Sequence, residues 1–200
     1  TFAIMMAYLS DYYDNYYEPA ERFLEPYVKA GSEYKACMLT TVRYRAIVVI
    51  FYQMKDPEKI RNWYEKQVIP AAYRTLEHAP IFSWTVCQGL AEFSAGFEKL
   101  EHARMWKLCF PEGNLMTEEQ IGATQTVPIK YSLDLESQLK QAVVKRDKEA
   151  YDRILEQIIA YCVEEPHHPD EIRESWTRLV VALVTVSDSM GRGTDNISMQ

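Results

Sequence analysis

The side chains best suited to chemistry in this 200-residue chain are few and scattered. His167 and His168 sit among Glu164, Glu165, Asp170 and Glu171, a set rich in metal-ligating atoms. Adjacent residues on a loop splay their side chains apart, however, and no third ligand recurs at the i+4 spacing that a helix-borne zinc centre uses. The pair therefore reads as a solvated turn. Cys87, His102 and Cys109 are the other set worth testing together, but no metal spacing links them. Arg43 and Arg45 flank a short turn and would suit an anion clamp, although exposed turn arginines account for them more simply.

Nucleophilic catalysis needs a serine or cysteine beside a base, and the four histidines are scattered with no GxSxG turn in the chain. Only seven glycines occur, and none forms a GxGxxG or GxxxxGK[ST] phosphate loop. Carboxylates are plentiful but lie mostly on helix-patterned surfaces, where solvation explains them. No catalytic, cofactor-binding or metal residue is assigned, and the ligand-binding residues are unknown. Fourteen tyrosines include a crowded row, Tyr8, Tyr12, Tyr13, Tyr16 and Tyr17. A packed or partly exposed aromatic face explains that row more simply than a stacking site for a ligand ring.

A net charge of −7 disfavours a nucleic-acid grip by this chain itself, because phosphate binding wants a basic surface. Hydrophobic residues make up 48% and charged residues 26%, which excludes a mostly disordered chain. Cys37, Cys87, Cys109 and Cys162 form no CxxC pair, and with no signal peptide they read as reduced, mostly buried thiols of a cytoplasmic protein. The longest apolar run, Ala46 to Tyr52, is far short of the ~20 residues that cross a membrane. Thr1 at the start and the polar stretch Gly191 to Gln200 at the end suggest a piece of a longer polypeptide.

The elements that would position these residues follow from period and punctuation. Phe2 to Leu9 is a continuous apolar run that suits an interior strand buried on both faces. A helix follows, with Ala20, Phe23, Leu24, Tyr27 and Val28 at spacings of three and four and Gly31 as its stop. Tyr34 to Thr41 and Ala46 to Gln53 read as a hairpin turning at Val42 to Arg45. Asp56 with Pro57 starts a helix running to about His78, burying Ile60, Trp63, Tyr64 and Val68, with Pro70 kinking or dividing it. Ile81 to Gly89 is a further strand. Phe97 to about Phe110 is an amphipathic helix through Leu100, Ala103, Met105 and Leu108, and Asn114 to Thr117 is a short fifth strand at an edge.

The first six elements run βαββαβ, a ferredoxin-like order that predicts an α+β fold with an antiparallel sheet beneath helices on one face. Beyond Pro128 the period is helical throughout. Leu135, Leu139, Ala142 and Val143 form one stripe. Ile154, Leu155, Ile158 and Cys162 form a second. Ile172, Trp176, Leu179, Val180, Leu183, Ser187 and Met190 form a third. Asp147 breaks the first pair, Glu164 to Pro169 breaks the second, Asp170 reads as the last N-cap and Gly191 as its C-cap. The expected organisation is an α+β domain over 1–128, a three-helix linker or dimerisation unit over 129–191 and a polar tail over 192–200.

Strand, helices, hairpin, helix, strand is also the order of the GGDEF nucleotide cyclase fold, whose hairpin tip carries the Gly-Gly-Asp/Glu-Glu-Phe signature. The tip here, Thr40-Thr41-Val42-Arg43-Tyr44-Arg45, resembles it in place but not in chemistry. It has no glycine to let backbone approach phosphate and no carboxylate to hold Mg²⁺. Thr85 to Leu90, followed by Phe97-Glu98-Lys99-Leu100-Glu101-His102-Ala103, resembles a segment of YesN/AraC-type regulators in which a strand ending Gly-Ile-Gly precedes a helix bearing Ser-Tyr-x-x-Ala-x-x-Ala. It departs from that pattern at Leu90-Ala91, Gly96 and Leu100. Tyr131-Ser132-Leu133-Asp134-Leu135-Glu136, then Leu139, Ala142 and Asp147, is similar to the "Y-P-L-E-L-E…L…A…G-D" stretch that follows this domain in the same family.

The resemblance implies the degenerate GGDEF-like regulatory region of a bacterial AraC-family transcription regulator, of the two-component response-regulator kind. It implies no enzyme activity and no cofactor. Its expected partners are a second copy in a homodimer, a receiver or sensor domain in front and a helix-turn-helix domain behind, with DNA contacted only through the latter and no membrane contact here. A small-molecule sensor using the tyrosine row and a divergent nucleotide-cyclase-like enzyme are the alternatives.

Overall fold

A strand that reads FAIMMAY has no polar side to offer water, so it belongs in the middle of a sheet covered from both sides. In the computed structural model of the chain, that is where β1 (Phe2–Tyr8) lies. The structure describes residues 1–9, 17–29, 31, 33–41, 45–110, 113–129 and 133–195, with Leu133 and residues 191–195 by backbone alone. β1 pairs antiparallel with β3 (Ala46–Tyr52) on one side and β4 (Ile81–Cys87) on the other. β2 (Lys35–Thr41) pairs antiparallel with β3, and β5 (Leu115–Met116) joins β4 in parallel. The order β2-β3-β1-β4-β5 interleaves the strands as the βαββαβ order requires, and the fold is α+β.

Alternate residues of β1 feed two separate cores. Ala3, Met5 and Ala7 meet Ala20 and Leu24 of α1 (Tyr17–Lys29), Ile60 of α2 (Pro57–Trp63) and Ile69 and Ala72 of α3 (Ile69–Thr75). Ile4, Met6 and Tyr8 meet Phe93, Phe97 and Leu100 of α4 (Phe93–Met105). Helices therefore cover both faces, not one as the βαββαβ order suggested. The cause is β1 itself, since each large apolar side chain fully buried on either side contributes roughly 1.5–3 kcal/mol. Cover on the α4 side does not reach the edge strand β2, where Cys37 is exposed and Leu39 is 54% exposed.

Local chemistry explains the boundaries. Asp56 caps α2, its carboxylate accepting from the Glu58 and Lys59 N–H groups, with Pro57 at the first position. The helix then widens into a π turn, Tyr64–Val68, in which the Ile69 N–H donates to the Tyr64 carbonyl. Pro70 follows at once and has no N–H for the carbonyl four residues back, which is the kind of defect π turns accommodate. The wider turn brings Ile69 and Ala72 into the core and leaves Trp63 at the surface. This stretch ends at Thr75, short of His78.

The helix expected over Phe97 to Phe110 begins earlier, at Phe93, and tightens into a 3₁₀ turn over Trp106–Cys109. The tightening buries Trp106 and leaves Met105 and Leu108 exposed. Gly96 lies inside α4 because a β-carbon there would stand 2.7 Å from the Cys87 sulfur. α5 (Glu118–Ala123) has no counterpart in the sequence reading, although Thr117 and Gln120 form a capping box at its start.

The chain divides into two compact units, Thr1–Thr124 and Gln125–Gln200. The second contains α6 (Leu133–Lys145), α7 (Lys148–Glu164) and α8 (Pro169–Asp195). Leu139, Ala142, Ile154, Ile158 and Leu179 form its core, with Trp176 and Leu183 packed against it. Asp147 caps α7 by accepting from the Ala150 N–H. α8 begins one residue before Asp170, with the His168 ring accepting from the Asp170 N–H, and it passes through Gly191 to Asp195 without a break. Asp170 and Gly191 are thus inside the helix and not its caps. Among the described residues no helix is long and apolar enough to cross a membrane.

Alanine at an exposed helical glycine stabilises by up to about 1 kcal/mol through propensity. At Gly96 we expect the reverse, a loss of about 1–2 kcal/mol in urea unfolding, because the new methyl overpacks the Cys87 sulfur. Gly96→Ala combined with Cys87→Ala should recover most of it, and additive losses in the double variant would refute the contact.

Candidate functional site

The sheet end at which β1 finishes and the hairpin turns is where the sequence reading placed its candidate residues. The Leu9 N–H donates to the Arg45 carbonyl at 2.9 Å, closing β1 onto β3 just below the turn. Arg45 holds a left-handed backbone, φ 47°, which a non-glycine residue adopts only under local constraint. Residues 42–44 of the tip, Arg43 among them, lie outside the described residues. Arg45 is exposed at this end of the sheet.

Tyr8 points the other way, into the core beneath α4. Its hydroxyl donates to Glu101 Oε1 at 2.7 Å. The Arg104 guanidinium stands 5.1 Å from the centre of the Tyr8 ring and 3.5 Å from Glu101. Carboxylate, phenol and guanidinium thus satisfy one another, an arrangement that anchors α4 to the end of β1. Tyr17 packs against the core on the opposite face of the sheet. The two described members of the tyrosine row are therefore separated by the sheet and do not share a pocket. Tyr12, Tyr13 and Tyr16 lie outside the described residues.

The histidine pair divides. His168 is at the surface, where it caps α8, but His167 is only 1% exposed. The expected solvated turn is therefore wrong for His167. Its Nδ1 lies 2.7 Å from the Val127 carbonyl and its Nε2 3.3 Å from the Tyr161 carbonyl, with the ring stacked on Tyr161. Cys87 lies in the α4-side core, its thiol facing the Glu92 carbonyl, while Cys109 packs beside Trp106 and His102 is on the exposed side of α4. Among the described residues no three histidine, cysteine, aspartate or glutamate side chains group to hold a metal ion.

Two features escaped the sequence reading. Glu136, which closes the Tyr131–Glu136 segment, is buried between α6 and α8. Its Oε1 accepts from Lys140 Nζ at 2.8 Å, and its Oε2 lies 3.6 Å from Arg178 Nε on α8. On sequence alone Glu136 is one more helix-surface carboxylate, because Arg178 is remote in the chain. The second feature is an open cleft of about 550 Å³ lined by Tyr34, Lys35, Gln53, Lys55, Asp56 and Lys59, among others. Lys59 is paired there with Glu33, and Gln53 holds a left-handed backbone at φ 52°. Nearby, burial and then the proximity of Tyr34 push the Tyr64 hydroxyl far above the usual phenol range.

Two outcomes follow. Glu136→Ala should destabilise the helical unit by about 1–2 kcal/mol, less than for a fully buried pair because Lys140 and Arg178 keep contact with water. Glu136→Met, which fills the same space without charge, should stay within about 1 kcal/mol of the parent in urea unfolding followed by circular dichroism. The thiols should differ in rate with iodoacetamide. Burial raises both Cys87 and Cys162, Cys87 also through Glu92, so both hold fewer thiolates near pH 8 than an ordinary thiol, and both are shielded from reagent where Cys37 is exposed. Cys37 should be modified first, as peptide mapping by mass spectrometry will read. The same upward shifts mean that above the ordinary thiol range the unfolded chain releases protons the folded one keeps, so stability falls as pH rises there.

The chain matches no protein-family model, no curated protein and no solved structure.

Proposed function

We propose that the chain is a non-catalytic regulatory region of a bacterial AraC-family transcription regulator, a cytoplasmic relay between a receiver or sensor domain and a DNA-binding helix-turn-helix domain carried elsewhere on a longer polypeptide. The observation that carries this reading is the Tyr131–Glu136 segment. It resembles the stretch that follows the GGDEF-like domain in that family, and its last residue, Glu136, is built into the contact between α6 and α8. The α+β unit before it supports the same reading through its strand order. A signal would act by binding two states of the chain differently, since only differential affinity shifts an equilibrium.

The proposed partner is a second copy, joined along α8. Trp176, Leu179 and Leu183 of that helix pack into the unit's own core, while Val180, Val181 and Val184 are 54%, 60% and 54% exposed. A helix apolar on a second side has surface to cover. The cleft lined by Lys35, Lys55 and Lys59 together with Glu33 and Asp56 favours a second reading, a sensor of a small polar molecule. The divergent-cyclase reading rests on strand order alone, because the tip sequence has no glycine and no carboxylate.

The longer gene product tests the first reading directly: a helix-turn-helix pair encoded after Gln200 is expected, and its absence would sink the relay. Light scattering at micromolar concentration should give the mass of two chains, and one-chain mass would refute a constitutive dimer. Incubation with GTP and Mg²⁺ should yield no cyclic product. A thermal-shift screen in which no small polar metabolite moves the midpoint would remove the sensor reading.

A further inference from the structure

Residues 125–129, at the start of the helical unit, have no regular secondary structure, and every side chain is exposed or half-buried. No core holds them, and their backbone is held instead. The Val127 N–H donates to the Pro166 carbonyl at 2.9 Å, and the Val127 carbonyl receives His167 Nδ1 at 2.7 Å. Two residues on, the Ile129 N–H donates to Glu171 Oε2 at 3.0 Å. All three contacts end on one short stretch, the α7–α8 turn and the first turn of α8. The segment borders an open groove of about 640 Å³, with Pro128 and Ile129 among its lining together with Glu171, Arg173 and Thr177 of α8.

A buried histidine whose ring stacks on Tyr161 and reaches the Val127 carbonyl acts as a polar anchor for the segment as well as a packing residue. Segments with few buried apolar contacts and solvent-facing backbone hydrogen bonds open locally, well below the free energy of global unfolding. The lengths of contact here combine those two properties, a specific docked position and a low barrier to leaving it.

We propose that residues 125–129 form a strap that docks on and releases from the α7–α8 turn and the first turn of α8 as one unit. Among the described residues, His167 and Glu171 are side chains bonded to it. Whatever favours the docked strap also favours the α7–α8 turn to which it is bonded, and the converse holds by linkage.

The test is amide hydrogen exchange followed by NMR on the whole 200-residue chain. The Val127 and Ile129 amides should exchange at least ten times faster than those of Met5 and Leu139, which report the two cores. His167→Leu should accelerate Val127 a further ten-fold with Met5 unchanged, and His167→Asn, which keeps a donor near the Nδ1 position, should restore most of the protection. If His167→Leu also accelerates Leu139, the variant has loosened the helical unit, and Glu171→Ala, at an exposed position, becomes the deciding variant. It should accelerate Val127 and Ile129 together. Exchange of both amides at the Leu139 rate in the parent, or acceleration of Ile129 alone in Glu171→Ala, would overturn the strap.

Discussion

The constraint on which the α+β unit depends is that β1 has no polar side. Two of its neighbours are forced by hydrogen bonding, since a buried backbone must be paired on both edges, and those are β3 and β4. Two more are forced by side chains, since Met5 and Ile4 face opposite ways and both must leave water. The first demand sets the strand order. The second requires α1 to α3 on one face and α4 on the other, and it draws β5 and α5 after α4 to finish the sheet beside β4. Once β1 is placed, little freedom remains except at the β2 edge, where the α4-side cover runs out.

The helical unit is specified differently. Its apolar core is small, and position within it is set by polar groups taken out of water. Glu136, braced by Lys140 on its own helix, ties α6 to α8 through Arg178, and His167 ties the α7–α8 turn to residue 127. Apolar stripes allow sliding by a turn with modest loss, whereas a carboxylate stranded away from its cation or an imidazole stranded away from its carbonyl does not. Polar pins of this kind add little net stability but penalise the wrong register.

These two modes explain what could be read in advance. The strands and the long helices announce themselves through runs and periods, because burial of apolar surface is written locally: FAIMMAY, AIVVIFY and the stripe of Trp176, Leu179 and Leu183 each carry their own evidence. Caps are local too, and Asp56 with Pro57 and Asp147 were legible. The Thr117–Gln120 box is equally local, although the helix it starts is only six residues long. Changes of winding were legible only in part, since Pro70 marks a defect in its helix without specifying a π turn, and the 3₁₀ turn at Trp106 answers to the packing around it. Least legible were Glu136 and His167, whose partners lie 42 and 40 residues away in the chain and whose types belong statistically at the surface. Of the sheet-end candidates, Arg45 closes the sheet through the hydrogen bond from Leu9 and Tyr8 is taken up by Glu101, while the tip itself lies outside the described residues.

α8 has 27 residues and no break at Gly191, so it is one rod of about 40 Å at 1.5 Å per residue. Its early turns carry the contacts to Ile129 and Glu136. A rod fixed near one end works as a lever. A tilt of about 10° at those contacts carries the far end through roughly 7 Å over that length, more than one helical turn. Small rearrangements where the helix begins are thereby converted into displacements of side-chain size where it ends.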